Sequence, residues 1–236
     1  MLQKQTVENS TFELLKELQN ETELINTRLV GGTSLALQIG HRVSDDLDLF
    51  SYEKFNVETI LELLQEKYNF IPRITNPNTI IGEINNVKID IIYHPFKWLE
   101  PPVEIENIRL ASLKDISAMK MHAIINSGKR PKDFVDIAFL GNIFSYDQIK
   151  QYLIDKYPRY DPIMADRALT YFGDISEQLI PLIKMTGQKL DFEKIKKRLL
   201  QMGNNPYKIF DESPLQTYSK NKTEVHTKNN YKRKIK

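Results

Sequence analysis

The twenty residues from Gly31 to Phe50, Gly-Gly-Thr-Ser-Leu-Ala-Leu-Gln-Ile-Gly-His-Arg-Val-Ser-Asp-Asp-Leu-Asp-Leu-Phe, restrict the fold more than any other part of the chain. Arg28-Leu29-Val30 ahead of them reads as a strand, and the glycine pair permits a sharp turn where a side chain would clash. A helix from about Thr33 follows. Its first turn presents unpaired N–H groups and the positive end of the helix dipole, the usual backbone means of holding phosphate. Asp46-Leu47-Asp48-Leu49-Phe50 then alternates with a period of two, which in a strand sends both carboxylates to one side and both leucines to the other. His41 has no partner at metal-ligand spacing and is assigned no chemistry. Alternation turns Asp45 away from Asp46, as a solvated acid.

With 236 residues, 41% hydrophobic and 27% charged, the chain can bury an adequate core as one large domain or two small ones. The absence of cysteine excludes disulfides, zinc–thiolate sites and cysteine nucleophiles, and fits a reducing compartment. The start, Met1-Leu2-Gln3-Lys4-Gln5, leads into polar, acidic sequence, and no apolar run approaches membrane-spanning length. A cytoplasmic location with no membrane partner is expected. The net charge of +2 conceals an asymmetry: Ser219 to Lys236 alone carries +6, leaving −4 on the rest. Such a tail either contacts a polyanion, displacing its counterions, or is a solvated terminus.

Thr11 is a plausible helix cap, with Phe12, Leu15, Leu18 and Leu24 on one face. A helix from Val57 to Tyr68 should cover a sheet whose further strands are Phe70–Ile74, Thr79–Ile84 and Val87–Tyr93, the last two joined as a hairpin by Asn85-Asn86. After Pro102 the pattern turns helical. Ser112 caps a helix reaching Gly128, and Pro131 starts another with Asp133 and Asp136 on one face. More helices are expected over residues 146–156, 161–172, 176–184 and 192–202. The expected organisation is therefore α+β: a mixed-sheet core over residues 1–102, a helical subdomain over 103–206 that completes the site, and a basic, flexible tail over 207–236.

Asp90 lies within the apolar run Val87-Lys88-Ile89-Asp90-Ile91-Ile92-Tyr93. It is either a solvated or lysine-paired acid on an edge strand or a third carboxylate beside Asp46 and Asp48. Three such acids at about 4 Å repel by roughly 4 kcal/mol per pair at an effective dielectric near 20, so the cluster needs cations. Oxygen-only ligation favours Mg²⁺, with Mn²⁺ as the alternative, completed by substrate phosphates. Acids and glycine turn together describe a nucleoside triphosphate with its metal, poised for in-line attack at phosphorus. A glycosidase-type acid and base is disfavoured, because Asp46 and Asp48 on one strand face lie too close for flanking roles.

Gly31-Gly32-Thr33, then Ser44-x-Asp46-Leu47-Asp48-Leu49-Phe50, then Lys120 and Lys132-Asp133-Phe134-Val135-Asp136, closely resemble the AbiEii/AbiGii toxin family of nucleotidyltransferases, within the DNA polymerase beta-like superfamily. The likeness spans about residues 28–140. It implies a polymerase beta-like sheet with flanking helices, transfer of a nucleoside monophosphate from a triphosphate to a hydroxyl on tRNA or protein, and the toxin of a toxin–antitoxin or phage-defence system, with a cognate antitoxin as partner. Asp46, Asp48 and Asp90 would hold the metals. Gly31, Gly32 and Thr33 would contact the triphosphate, and Arg42 and Ser44 would contact phosphate or brace the loop. Lys120 would offset charge on the leaving group, or snorkel from a packed helix. Asp133 and Asp136 would orient Lys120 or Lys132 at the nucleotide, or complement the helix dipole. The competing reading is a non-catalytic relative that binds nucleotide or RNA.

Overall fold

The computed structural model describes residues 1–216; the +6 tail lies outside the described residues. A 3-10 turn (Lys4–Thr6) precedes α1 (Asn9–Asn20), and a second (Thr22–Leu24) leads into β1 (Thr27–Leu29). Then follow α2 (Gly31–Ile39), β2 (Leu47–Ser51), α3 (Val57–Tyr68), β3 (Ile71–Asn76), β4 (Thr79–Ile84) and β5 (Val87–Tyr93). A short hairpin, β6 (Val103–Ile105) and β7 (Ile108–Leu110), ends the strands. The rest is helical: α4 (Leu113–Asn126), α5 (Pro131–Leu140), α6 (Tyr146–Lys156), α7 (Pro162–Thr170), a 3-10 segment (Glu177–Leu182) and α8 (Phe192–Asn204).

The strands form one mixed sheet in the order β3-β4-β5-β2-β1-β7-β6, with β2 parallel to β5 and β1 parallel to β7. One face is apolar. Leu29, Leu47, Leu49, Ile89 and Ile91 bury there against Phe12, Leu15 and Leu18 of α1 and Ile60 and Leu64 of α3. The alternation that points these leucines inward leaves Asp48, Phe50, Asp90 and Ile92 on the opposite face, where α4 covers them across a cavity. A second core, built on Ile116, Met121, Phe134, Ile137, Ile149 and Leu199, unites the helices.

Local chemistry accounts for most element ends. Asn85 and Asn86 both adopt positive φ (50° and 65°), the geometry of a two-residue hairpin turn. Ser112 accepts from Asp115 N–H to cap α4, and Pro131 opens α5. The sheet extends past the expected boundary, however. Glu106 and Asn107, again at positive φ (55° and 63°), fold β6 onto β7, which returns beside β1, so the helical part starts at Leu113 rather than 103. Three-residue strands are too short for their alternation to register. Where an α-helix is expected over residues 176–184, the chain forms only the 3-10 segment Glu177–Leu182 containing Pro181, because proline removes a donor. Thr11 is buried within α1 and not its cap, since the helix starts at Asn9. Within residues 207–216, expected as the start of a flexible tail, Phe210 and Leu215 are buried against the helices, and Phe210 N–H donates to Gly141 C=O.

One buried ion pair straps the segment between β5 and β6 to the helices. Lys156 Nζ donates to Asp115 Oδ1 at 2.8 Å and to Lys97 C=O at 3.1 Å, while Leu99 N–H donates to the same carboxylate oxygen. Trp98 lies between Arg28 and Lys156, with ring-centre distances of 4.4 and 4.5 Å. Asp115→Ala should leave the Lys156 ammonium buried without its counter-charge and lower unfolding stability by about 3–5 kcal/mol, measured by urea denaturation. A loss below about 1 kcal/mol would show that the strap is dispensable.

Candidate active site

Parallel pairing of β2 with β5 sets Asp48 directly opposite Asp90 on the face beneath α4. Burial and the Asp90 charge push the Asp48 carboxyl up from 3.8 to about 6. Gly31 closes the other side: its φ is +69°, and a β-carbon there would overlap Asp48 Oδ2. The glycine turn therefore rests its backbone directly against the acid. Lys88, two residues before Asp90 and so on the same face, donates to Asp90 Oδ2 at 2.6 Å. Against the effect of burial, Asp90, Asp48 and Asp46 hold its ammonium above the usual range. Asp90 Oδ1 is buried without a hydrogen-bond partner.

Asp46 precedes β2 and stands apart from this pair. Its side chain is 47% exposed, with Oδ2 3.7 Å from Lys132 Nζ. Among the described residues no three acidic or histidine side chains gather closely enough to hold a metal ion. The expected convergence of three acids is thus a close pair, Asp48 and Asp90, with Asp46 at its margin. Repulsion within the pair and the unpartnered Asp90 oxygen fit a divalent cation. Asp45, expected as a solvated acid, accepts from Glu8 N–H at 3.0 Å and ties down the start of α1.

Behind the turn lies a buried junction centred on Asp136, which is fully enclosed. It accepts from Arg42 Nε at 2.6 Å and Arg42 Nη2 at 3.0 Å, from His41 Nε2 at 2.8 Å, and pairs with Lys120 Nζ at 2.7 Å. Burial alone would raise its pKa, but Arg42 and Lys120 hold it well below the usual carboxylate range. Burial lowers the pKa of His41, so a neutral ring donates from Nε2 to Asp136. Lys120 also donates to Asp133 Oδ1 at 2.8 Å, and Asp133 Oδ2 accepts from Arg130 Nε at 2.9 Å.

The junction reaches the glycine turn through Arg42, whose Nη2 occupies the space a β-carbon on Gly32 would need. Thr33 Oγ1 donates to Asp46 C=O at 2.5 Å and bonds Ser44 Oγ at 3.0 Å, pinning the loop before β2 onto α2. α2 itself starts from Val30 with no side-chain cap. Of the alternatives for Arg42, the geometry favours the brace over phosphate contact, since its guanidinium is buried and engaged. Asp136 is likewise sealed from any ligand and acts through Arg42 and Lys120.

Lys120 and Arg130 reach a cavity of about 370 Å³ that also exposes Gly31, Asp48 and Asp90. Its far end is walled by Phe50, His94, Met119, His122 and Tyr157, none of which the sequence singled out for the site. The signal was available only for Lys88, because the alternation that faces Asp90 into the cleft faces Lys88 there too.

The raised Asp48 pKa carries a definite sign. Between about pH 4 and pH 6 the native chain binds a proton that the unfolded chain has released, so this group's contribution to stability falls as pH rises and is fully unfavourable above pH 6. Asp48→Asn should raise the stability of the metal-free protein by about 2 kcal/mol at pH 7.5, with the gain vanishing toward pH 4. Thermal melts across that range check it, and a variant no more stable than wild type at pH 7.5 would contradict the electrostatic account.

Solved structures of a proposed nucleotidyltransferase from H. pylori and of JHP933 from Helicobacter pylori share the fold, each with a TM-score of 0.56. The first is 19% identical and aligns over 84% of this chain and 92% of its own; the second is 17% identical, over 85% and 93%. The uncharacterized protein aq_aa25 of Aquifex aeolicus is 29% identical over 157 residues, which is 64% of this chain and 76% of that protein. Residues 13–211 match the family described as nucleotidyl transferase AbiEii toxin, type IV toxin–antitoxin system. With most of its length inside that match, the chain belongs to the AbiEii nucleotidyltransferase toxin family.

Proposed function

We propose that this nucleotidyltransferase moves a nucleoside monophosphate from a nucleoside triphosphate to a hydroxyl of RNA, such as a tRNA 3′ end, or of protein, and that it does so with Mg²⁺ or Mn²⁺. The observation that carries the reading is the contact of the glycine turn with Asp48, itself paired across strands with Asp90. An uncapped helix start suited to phosphate and two carboxylates suited to a cation thereby meet at one point. Asp48 and Asp90, with Asp46 at the margin, are the residues that would hold the metal. When bound, the ion supplies charge neutralisation at the phosphates and acidifies the attacking hydroxyl.

The chain's own residues then account for the rest. The N–H groups of Gly31, Gly32 and Thr33 orient the triphosphate. A carboxylate oxygen of Asp90 or Asp48 that the cation does not take accepts the proton of the acceptor hydroxyl. The acceptor oxygen bonds to the α-phosphorus as the bond from that phosphorus to the bridging oxygen breaks, and pyrophosphate departs with the electron pair. Lys120, fixed by Asp133 and Asp136, stabilises the charge gathering on that leaving group. Lys132, facing Asp46, adds positive charge at the rim. The family context supports a cognate antitoxin as partner.

Purified protein with Mg²⁺ and an α-labelled nucleotide should label RNA or protein. Asp48→Ala and Asp90→Asn should each reduce labelling by at least about 10²-fold. Labelling by Asp48→Ala at the wild-type rate would remove the site assignment, and wild-type protein that labels neither acceptor class would remove the transferase reaction.

A further inference from the structure

The cavity that begins at Asp48 and Asp90 has two chemically different ends. Its charged groups gather around Gly31: Asp48 lies against that glycine, Asp90 is the cross-strand partner of Asp48, Lys120 is held by Asp136 and Asp133, and Arg130 shares Asp133. Along the sheet the next residues on the same face are the cross-strand partners Phe50 and Ile92, about 7 Å further at the usual rise per strand residue. His94 follows, its N–H bonded to Ser51 C=O. The opposite wall is α4, the same helix that carries Lys120, through Met119, His122 and Ala123.

Rings enclose this second end. His122 stacks on Tyr157 with centroids 4.2 Å apart and planes 17° from parallel, and Phe50 packs against His94 at 5.4 Å. His94 Nε2 lies 3.1 Å from Tyr157 Oη. Burial and the nearby Lys156 charge lower the His94 pKa to about 4, so the ring is neutral near pH 7. The polar groups here are uncharged imidazoles and a phenol, the phenol engaged by His94, set among flat apolar walls. Such a surface suits a planar, neutral heterocycle with hydrogen-bonding edges and opposes a phosphate or a peptide charge.

We propose that this aromatic end is the base-binding subsite of the incoming nucleotide, with His122, backed by the buried Tyr157 ring, supplying the stacking surface and the His94 imidazole a hydrogen-bonding edge. The assignment rests on the nucleotidyltransferase reading, and orients the substrate: triphosphate over Gly31 and the aspartates, base toward His94. Because α4 supplies both Lys120 and the wall of the base subsite, a base that seats well also registers the leaving group against Lys120.

The test separates the two ends of the ligand. Calorimetric titrations with Mg²⁺ would compare the four nucleotides as non-transferable α,β-methylene analogues with inorganic tripolyphosphate, which has no base. In wild type, at least one analogue should bind about tenfold more tightly than tripolyphosphate, a difference of about 1.4 kcal/mol. Ala123→Phe, which fills the subsite, should erase that advantage, and His122→Ala should reduce it severalfold. Neither should shift tripolyphosphate affinity by more than about twofold, which also reports that each variant is folded. Equal affinity of wild type for tripolyphosphate and every analogue would overturn the base subsite while leaving the transferase reading intact. So would nucleotide affinity unchanged in both variants, or lost from both in step with tripolyphosphate. Wild type that binds neither ligand would remove the triphosphate reading itself, and this assignment with it.

Discussion

The Asp136 carboxylate is the point from which the site is held. It is wholly buried, and it survives as an anion because Arg42, Lys120 and His41 surround it with donors. Through Arg42 it sets the space against Gly32, and through Lys120 it sets one wall of the cavity. Removing a partner from such a junction leaves a charge without solvent or counter-ion, so its members form one unit. Sheet and helices are thus joined directly behind the glycine turn and beside the Asp48–Asp90 pair.

The acid pair is the complementary case. Parallel neighbours in a sheet cannot separate their side chains, so Asp48 and Asp90 repel at fixed range and Asp48 is pushed toward its neutral form. Lys88 compensates Asp90 only in part, since one Asp90 oxygen is left unpartnered. The resting protein therefore keeps a local electrostatic deficit that a cation relieves. The same crowding explains why a glycine stands at position 31: any side chain there would displace the Asp48 carboxylate.

What could be read from the sequence was whatever depends on short-range pattern. The glycine turn, the Leu47 and Leu49 alternation, the Asn85-Asn86 hairpin, the Ser112 cap and Pro131 at a helix start all act within a few residues, and each appears in the structure. The β6–β7 hairpin did not announce itself because three-residue strands are specified by the strand they join. Nor did the packing of Phe210 and Leu215, which depends on helices distant in sequence. At the site, alternation and resemblance together brought out Asp48 and Asp90, and their adjacency is a matter of register. The burial of Arg42 and Asp136 and the aromatic walls from Phe50, His94, His122 and Tyr157 arise only when six separate segments close on one another.

The distribution of the Asp136 junction along the chain has a bearing on synthesis. Arg42 lies 94 residues before its partner, and the carboxylates of β2 and β5 are joined to Lys120 only through a helix made after the whole sheet. A chain emerging from its N-terminus completes the phosphate turn and both acids well before it owns the groups that fix them. Nascent or prematurely ended chains that stop short of Asp136 are consequently without an organised centre.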